Sequence, residues 1–129
     1  MMMLLAASLA GFCVAGYFML LTYGRASRLP RWCRTDESAC TRVLAHPDAH
    51  LAGVPNALIG VGYHAVVLLY AAGVLPAVLH AWLTAAAWMS VAAGGYLTWS
   101  LIVRVRVVCR LCLLSHGLNL VIAILLTWT

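Results

Sequence analysis

Polar residues in this chain are gathered into a few short intervals, and the apolar stretches between them are longer than a soluble fold requires. Residues 1–23 carry no charged side chain and are interrupted mainly by small residues such as Ser8, Gly11 and Gly16. A hydrocarbon core about 30 Å thick is crossed by about 20 helical residues, so this stretch predicts a membrane span over about 2–23. With no basic segment ahead of it and more length than a signal-peptide core, it is expected to remain as a helix. Residues 24–53 bring in Arg, Asp, Glu, His and Pro and predict an extramembrane loop with room for a short surface helix. From Val54 to Leu101 there is again no formal charge. As one helix that run would be about 72 Å long, more than twice the membrane core. It therefore predicts two spans, about 54–72 and 76–101. Gly73 and Pro76 supply the break, with Pro76 suited to the first turn of the second helix. A last apolar run predicts a span over about 105–128.

The architecture expected is all-α: an integral membrane four-helix bundle, one domain over residues 1–129, with one long extramembrane loop between the first and second spans. Composition agrees. Of 129 residues 65% are hydrophobic and 9% charged, and the mean hydropathy of +1.00 excludes an ordinary soluble domain. Trp82, Trp99 and Trp128 fall near predicted span ends, where indole rings favour the interface.

The net charge of +5 comes without lysine; the cations are Arg25, Arg28, Arg31, Arg34, Arg42, Arg104, Arg106 and Arg110. They flank apolar spans rather than forming a basic helix or an aromatic-interleaved patch, which excludes nucleic acid as a partner. Two spans separate the 24–53 loop from the loop around Arg104, so both lie on one face. All eight arginines share that face, and the positive-inside rule directs it to the cytoplasm.

The candidate chemistry is in the cysteines. Cys109 and Cys112 form a C-x-x-C at the start of the last span, and Cys33 and Cys40 form a second pair in the loop on the same face. A close dithiol is the unit of two-electron sulfur chemistry. A thiolate near a helix N-terminus is favoured by the helix dipole and by cations, here Arg106 and Arg110. His116 and Asn119 follow Cys112 at helical spacing, so a polar stripe of Cys109, Cys112, His116 and Asn119 is expected along one face. Polar groups inside a span are costly and are commonly functional. His116 has two readings, a hydrogen bond or proton for a ligand carbonyl, or a histidine satisfied by Asn119, Ser115 or a neighbouring helix. A second polar-edged stripe, Asn56, Gly60 and Tyr63, opens the second span. Asn56 is either a helix cap or a ligand contact, and Gly60 lets a flat ligand approach the backbone. His46 stands just past the loop cysteines and could cover the same site, while His50, His64 and His80 carry weaker arguments. Cys13 is expected to be inert packing. A zinc site on all four paired cysteines is the competing reading of the pattern, but the gap between Cys33 and Cys40 suits exchange better. No metal ligand is assigned.

The order of these features resembles the vitamin K epoxide reductase family. The matching stretches are Cys33 and Cys40 followed by Thr-Arg-Val-Leu, then Val54-Pro-Asn-Ala-Leu-Ile-Gly60, then Cys109-Arg-Leu-Cys112 leading to His116 and Asn119. The resemblance covers nearly the whole chain. It implies a membrane thiol oxidoreductase that forms disulfides in a separate thioredoxin-like protein and passes the electrons to a quinone of ubiquinone, menaquinone or vitamin K type. In that relay Cys33 exchanges with the partner's dithiol, Cys40 passes electrons to Cys109, Cys112 faces the quinone ring and Asn56 hydrogen-bonds a quinone oxygen. The family often carries tyrosine where His116 falls and serine or threonine near His46. Its usual active face is extracytoplasmic, opposite to the one the arginines indicate. Alternative functions are reduction of vitamin K epoxide itself and non-enzymatic metal binding in the membrane.

Overall fold

The computed structural model describes residues 1–24 and 42–129. Cys33 and Cys40, with Arg25, Arg28, Arg31 and Arg34, lie outside the described residues. The described residues are all-α apart from one minimal hairpin. Helix α1 spans Met2–Thr22, α2 Asn56–Ala71, α3 His80–Ser100 and α4 Arg110–Trp128. Met2–Thr22, Ala77–Val105 and Arg110–Trp128 are each long and apolar enough to cross a membrane. The protein is an integral membrane protein.

Two hydroxyls of helix α1 turn inward on their own backbone: Ser8 Oγ donates to the Leu4 carbonyl at 2.7 Å and Thr22 Oγ1 to the Phe18 carbonyl at 2.8 Å. Such back-bonding suits hydroxyls in a medium without water. Its buried face carries Ala7, Ser8, Gly11 and Ala15, a small residue on each turn, and this lets α2 approach closely. The His64 ring of α2 fills the notch at Gly11, where a Cβ would come within 2.2 Å of it. Cys13 lies on the other side of α1 and is exposed. It was expected to be packed; residues 7, 8, 11 and 15 take the contact face, and the 100° step per residue turns position 13 outward.

The uncharged run breaks at Gly73–Pro76. Gly73 is left-handed, with φ +76°. The Val74 N–H reaches back to the Leu69 carbonyl at 3.0 Å and the Gly73 N–H to that of Tyr70 at 2.9 Å, which is the glycine-terminated helix end of the Schellman type. Pro76 precedes a single 3-10 turn, Ala77–Leu79, and α3 follows. Pro76 is thus just ahead of the helical turn rather than inside it. Across this turn the Tyr70 hydroxyl meets His80 Nδ1 at 3.0 Å.

The expected start of the last span near residue 105 is corrected to Arg110. Helix α3 continues through a π-turn at Leu101–Val105 and stops at Arg106, which is left-handed with φ 56°. Charge marks where the chain leaves the apolar phase, whereas backbone hydrogen bonding carries the helix a turn further.

Helix α1 packs on α2 and α4, and α3 packs on α4, while α2 and α3 make few direct contacts. One apolar cluster, around Leu4, Val67, Leu83, Ala87, Ile122 and Leu126, fills the end where the Gly73–Pro76 turn lies. A second, around Leu101, Cys109, Leu111 and Cys112, fills the other end. The described part of the loop folds over that second end. It includes the 3-10 turn Pro47–Ala49 and a hairpin of β1, His50–Leu51, on β2, Val54–Pro55. Ala52 and Gly53 close the hairpin with positive φ at both positions, the backbone of a tight primed turn.

Candidate functional site

Val107 to Cys109 are not helical, and Cys109 is the extended N-cap of α4. Its Sγ accepts from the Cys112 N–H at 3.3 Å. The sulfur therefore sits on the positive end of the helix dipole, where negative charge is stabilised. Cys112 Sγ is 2.6 Å from Cys109 Sγ, and both residues are buried. Arg106 and Arg110 flank Cys109 and are exposed. The expected four-residue stripe is corrected at its first member, because Cys109 caps the helix instead of continuing it. Cys112, His116 and Asn119 do share a face, and all three line one cavity.

That cavity has a volume of about 490 Å³ and lies where α2 and α3 stand apart, with walls from all four helices and the loop. Cys112 lines it and Cys109 does not. The inner sulfur thus faces the cavity, and its partner sits behind it among Leu101, Leu111, Tyr17 and Phe18. Asn56, Gly60 and Tyr63 all reach the cavity from α2, and His46 reaches it from the loop. Gly60 has a second task, since a Cβ there would come within 3.3 Å of Ala15 on α1.

Asn56 is not a cap. Pro55 holds the N-cap position without a side-chain cap bond, and Asn56 Nδ2 donates to the Asp48 carbonyl at 2.7 Å. His46 Nδ1 accepts from the Asp48 N–H at 3.2 Å, which fixes its ring at the loop's 3-10 turn. His116 is wedged against Gly94 of α3, where a Cβ would fall 2.7 Å from its Nδ1. Its satisfied reading fails among the described residues, since His116 Nδ1, Asn119 Oδ1, His64 Nδ1 and the Tyr63 hydroxyl are buried there without a hydrogen-bond partner. Ser90 lies beside Tyr63 and donates its own proton to the Ala87 carbonyl at 2.8 Å. Each buried polar atom without a partner costs about 1–3 kcal/mol. Four of them stand around one largely apolar cavity, where a ligand with its own polar atoms would supply the partners they lack.

Two residues of this site, Asp48 and Ser100, are missed in the sequence, and a third, His64, is given only a weak argument there. His64 lines the cavity and is almost fully buried; an ionisable residue inside a span was the available signal. Asp48 binds Ser100, which donates to its Oδ2 at 2.5 Å. Asp48 is one of only three acids in the chain, but its partner is 52 positions away and nothing local announces the pair.

A buried pair of cysteines beside an apolar, polar-studded cavity inside a membrane protein is an arrangement suited to a membrane oxidoreductase. The sequence matches the Vitamin K epoxide reductase family over residues 2–127, and the chain belongs to that family. Its membership makes it a membrane oxidoreductase of the quinone-related kind. No curated protein and no solved structure matches the chain.

Proposed function

We propose that the protein oxidises the dithiol of a thioredoxin-like partner and delivers the electrons to a membrane quinone in the 490 Å³ cavity. The observation that carries this reading is the position of Cys112, whose side chain faces a cavity with unpartnered polar atoms on its walls. A quinone fits that chemistry, being flat and apolar with two carbonyl oxygens that require donors. Asn56 supplies an amide N–H at one wall, and His116 and Tyr63 offer donors at others. When bound, the quinone accepts two electrons and two protons as the Cys109 and Cys112 thiols become a disulfide. The chain's own contribution is to hold the ring, exclude water and keep a nucleophilic sulfur at a helix N-terminus.

In this reading Cys33 exchanges with the partner and Cys40 hands the electrons to Cys109, which lies behind Cys112 and away from the cavity. Each transfer is a thiol–disulfide exchange, and a quinone more oxidising than the partner by 30 mV favours the forward direction by about 1.4 kcal/mol. Helix α2 is the fourth crossing. Its 16 residues give about 24 Å, and the flanking hairpin and the Gly73 turn extend it toward both interfaces.

The test is ubiquinone and menaquinone reduction by the purified protein with a small dithiol donor, comparing wild type with Cys112→Ala. Wild type reduces at least one of the two, and Cys112→Ala falls by at least about a thousandfold, as removal of a covalent participant does. A Cys112→Ala variant as active as wild type refutes the assignment.

A further inference from the structure

Asp48 stands where the loop meets α2 and α3, and the thiol chemistry makes no use of it. Its Oδ2 accepts from Ser100 Oγ at 2.5 Å, and lies 3.7 Å from His46 Nδ1 and 3.9 Å from Arg104 Nη1. Its main-chain carbonyl accepts from Asn56 Nδ2 at 2.7 Å. One residue thus joins the last position of α3 to the first of α2 at the rim of the cavity. The contacts with Arg104 and Ser100 are unequal. Arg104 is half exposed and is also held by the Tyr96 hydroxyl at 3.5 Å and the Trp99 ring at 5.3 Å, so its pairing with Asp48 is weak. Ser100 is buried, and a hydroxyl donating to a carboxylate there makes a strong, charge-assisted bond. Asp48 sits in a single 3-10 turn begun by Pro47, with its own N–H bound to His46. In so short and constrained a turn, fixing the side chain also fixes the carbonyl.

We infer that Asp48 is a positioning residue: held by Ser100, it sets the carbonyl that orients the Asn56 amide toward the cavity, and so sets the affinity for a carbonyl-bearing ring. The inference rests on the quinone reading of the cavity. Its chief readout is equilibrium binding of a short-chain ubiquinone to the full-length protein in detergent, followed by quenching of tryptophan fluorescence. KM and kcat with a small dithiol are measured beside it. Asp48→Ala weakens binding about tenfold, the scale of one lost hydrogen bond to a charged group. KM for the quinone rises in step, while KM for the dithiol moves less than about twofold. Asp48→Asn recovers most of the affinity, because its amide oxygen still accepts from Ser100. Ser100→Ala matches Asp48→Ala, and the double variant binds no more weakly than either single one, since both act through one bond. Ser100→Ala also carries the test alone if Asp48→Ala does not fold. Wild-type affinity in the folded single variants, or additive losses in the double, overturns the inference. A wild-type protein that neither binds nor reduces a quinone fails the functional reading instead, which keeps the two failures distinct.

Discussion

The two ends of the molecule are made from the same helices and solve opposite problems. At the end holding the Gly73–Pro76 turn, Leu4, Val67, Ala87, Ile122 and Leu126 close a continuous apolar core, in which Val67, Ala87, Ile122 and Leu126 have no exposed surface. Its helix terminus is closed by a glycine, and its polar pair, Tyr70 and His80, satisfies itself. At the other end the helices part around a cavity, four buried polar atoms have no partner among the described residues, and a π-turn and two positive-φ residues other than glycine interrupt the backbone. Positive φ at such residues and unpartnered polar atoms cost roughly 1–3 kcal/mol each. The difference shows where stability is stored and where it is given up. The dry end holds the helices in register so that the cavity end can keep an unsatisfied wall.

Damage to each end should therefore lower a different property. Leu126→Ala empties part of the dry core. In water-soluble proteins such a change costs 2–5 kcal/mol, but lipid tails are as apolar as leucine, so here the lost packing alone counts and about 2 kcal/mol is expected. Thermal unfolding in detergent should show it as a lowered Tm, while quinone KM in the folded fraction stays near wild type. A large KM change with unaltered Tm would mean that the ends are not separable in this way.

At the cavity end the effect should fall on the ligand. His116→Phe keeps a flat ring in the notch at Gly94 but removes a hydrogen-bonding nitrogen from the wall. Quinone affinity should drop by about fivefold to tenfold, or about 1–1.4 kcal/mol. Stability should hold or rise, because a buried atom without a partner is removed with it. Unchanged affinity would assign His116 to packing alone.

How much of this was legible in the sequence follows the same division. The apolar runs and the Gly73–Pro76 break were readable because a membrane imposes length and glycine imposes a turn, both of which are local constraints. Cys112, His116 and Asn119 were readable as one face because helical periodicity is local as well. The end of α3 was not, since arginines at 104 and 106 mark the change of medium and the helix continues through the π-turn before reversing at Arg106. Cys109 was misread for the same reason: it was counted as helical, whereas it caps the helix from outside. Asp48 with Ser100, and His64 with Gly11, are tertiary pairs between distant segments. Each has a visible half, but the pairing exists only after the helices pack.

The smallest expected effect is at the dry end. Tyr70→Phe removes the hydroxyl from His80 Nδ1 and leaves the ring in place. A neutral hydrogen bond is worth about 0.5–1.5 kcal/mol net, and double-mutant cycles between membrane helices average near 0.6 kcal/mol, so a modest fall in Tm is expected. His80→Phe should have a similar effect, and the double variant should lose no more than either single one if the pair acts as one bond. Quinone affinity should be untouched in all three, because Tyr70 and His80 tie the turn at the end away from Cys112. If Tyr70→Phe instead weakened quinone binding, the tie would be setting the spacing of α2 and α3 along their whole length. The cavity would then depend on the dry end for its width as well as for its stability.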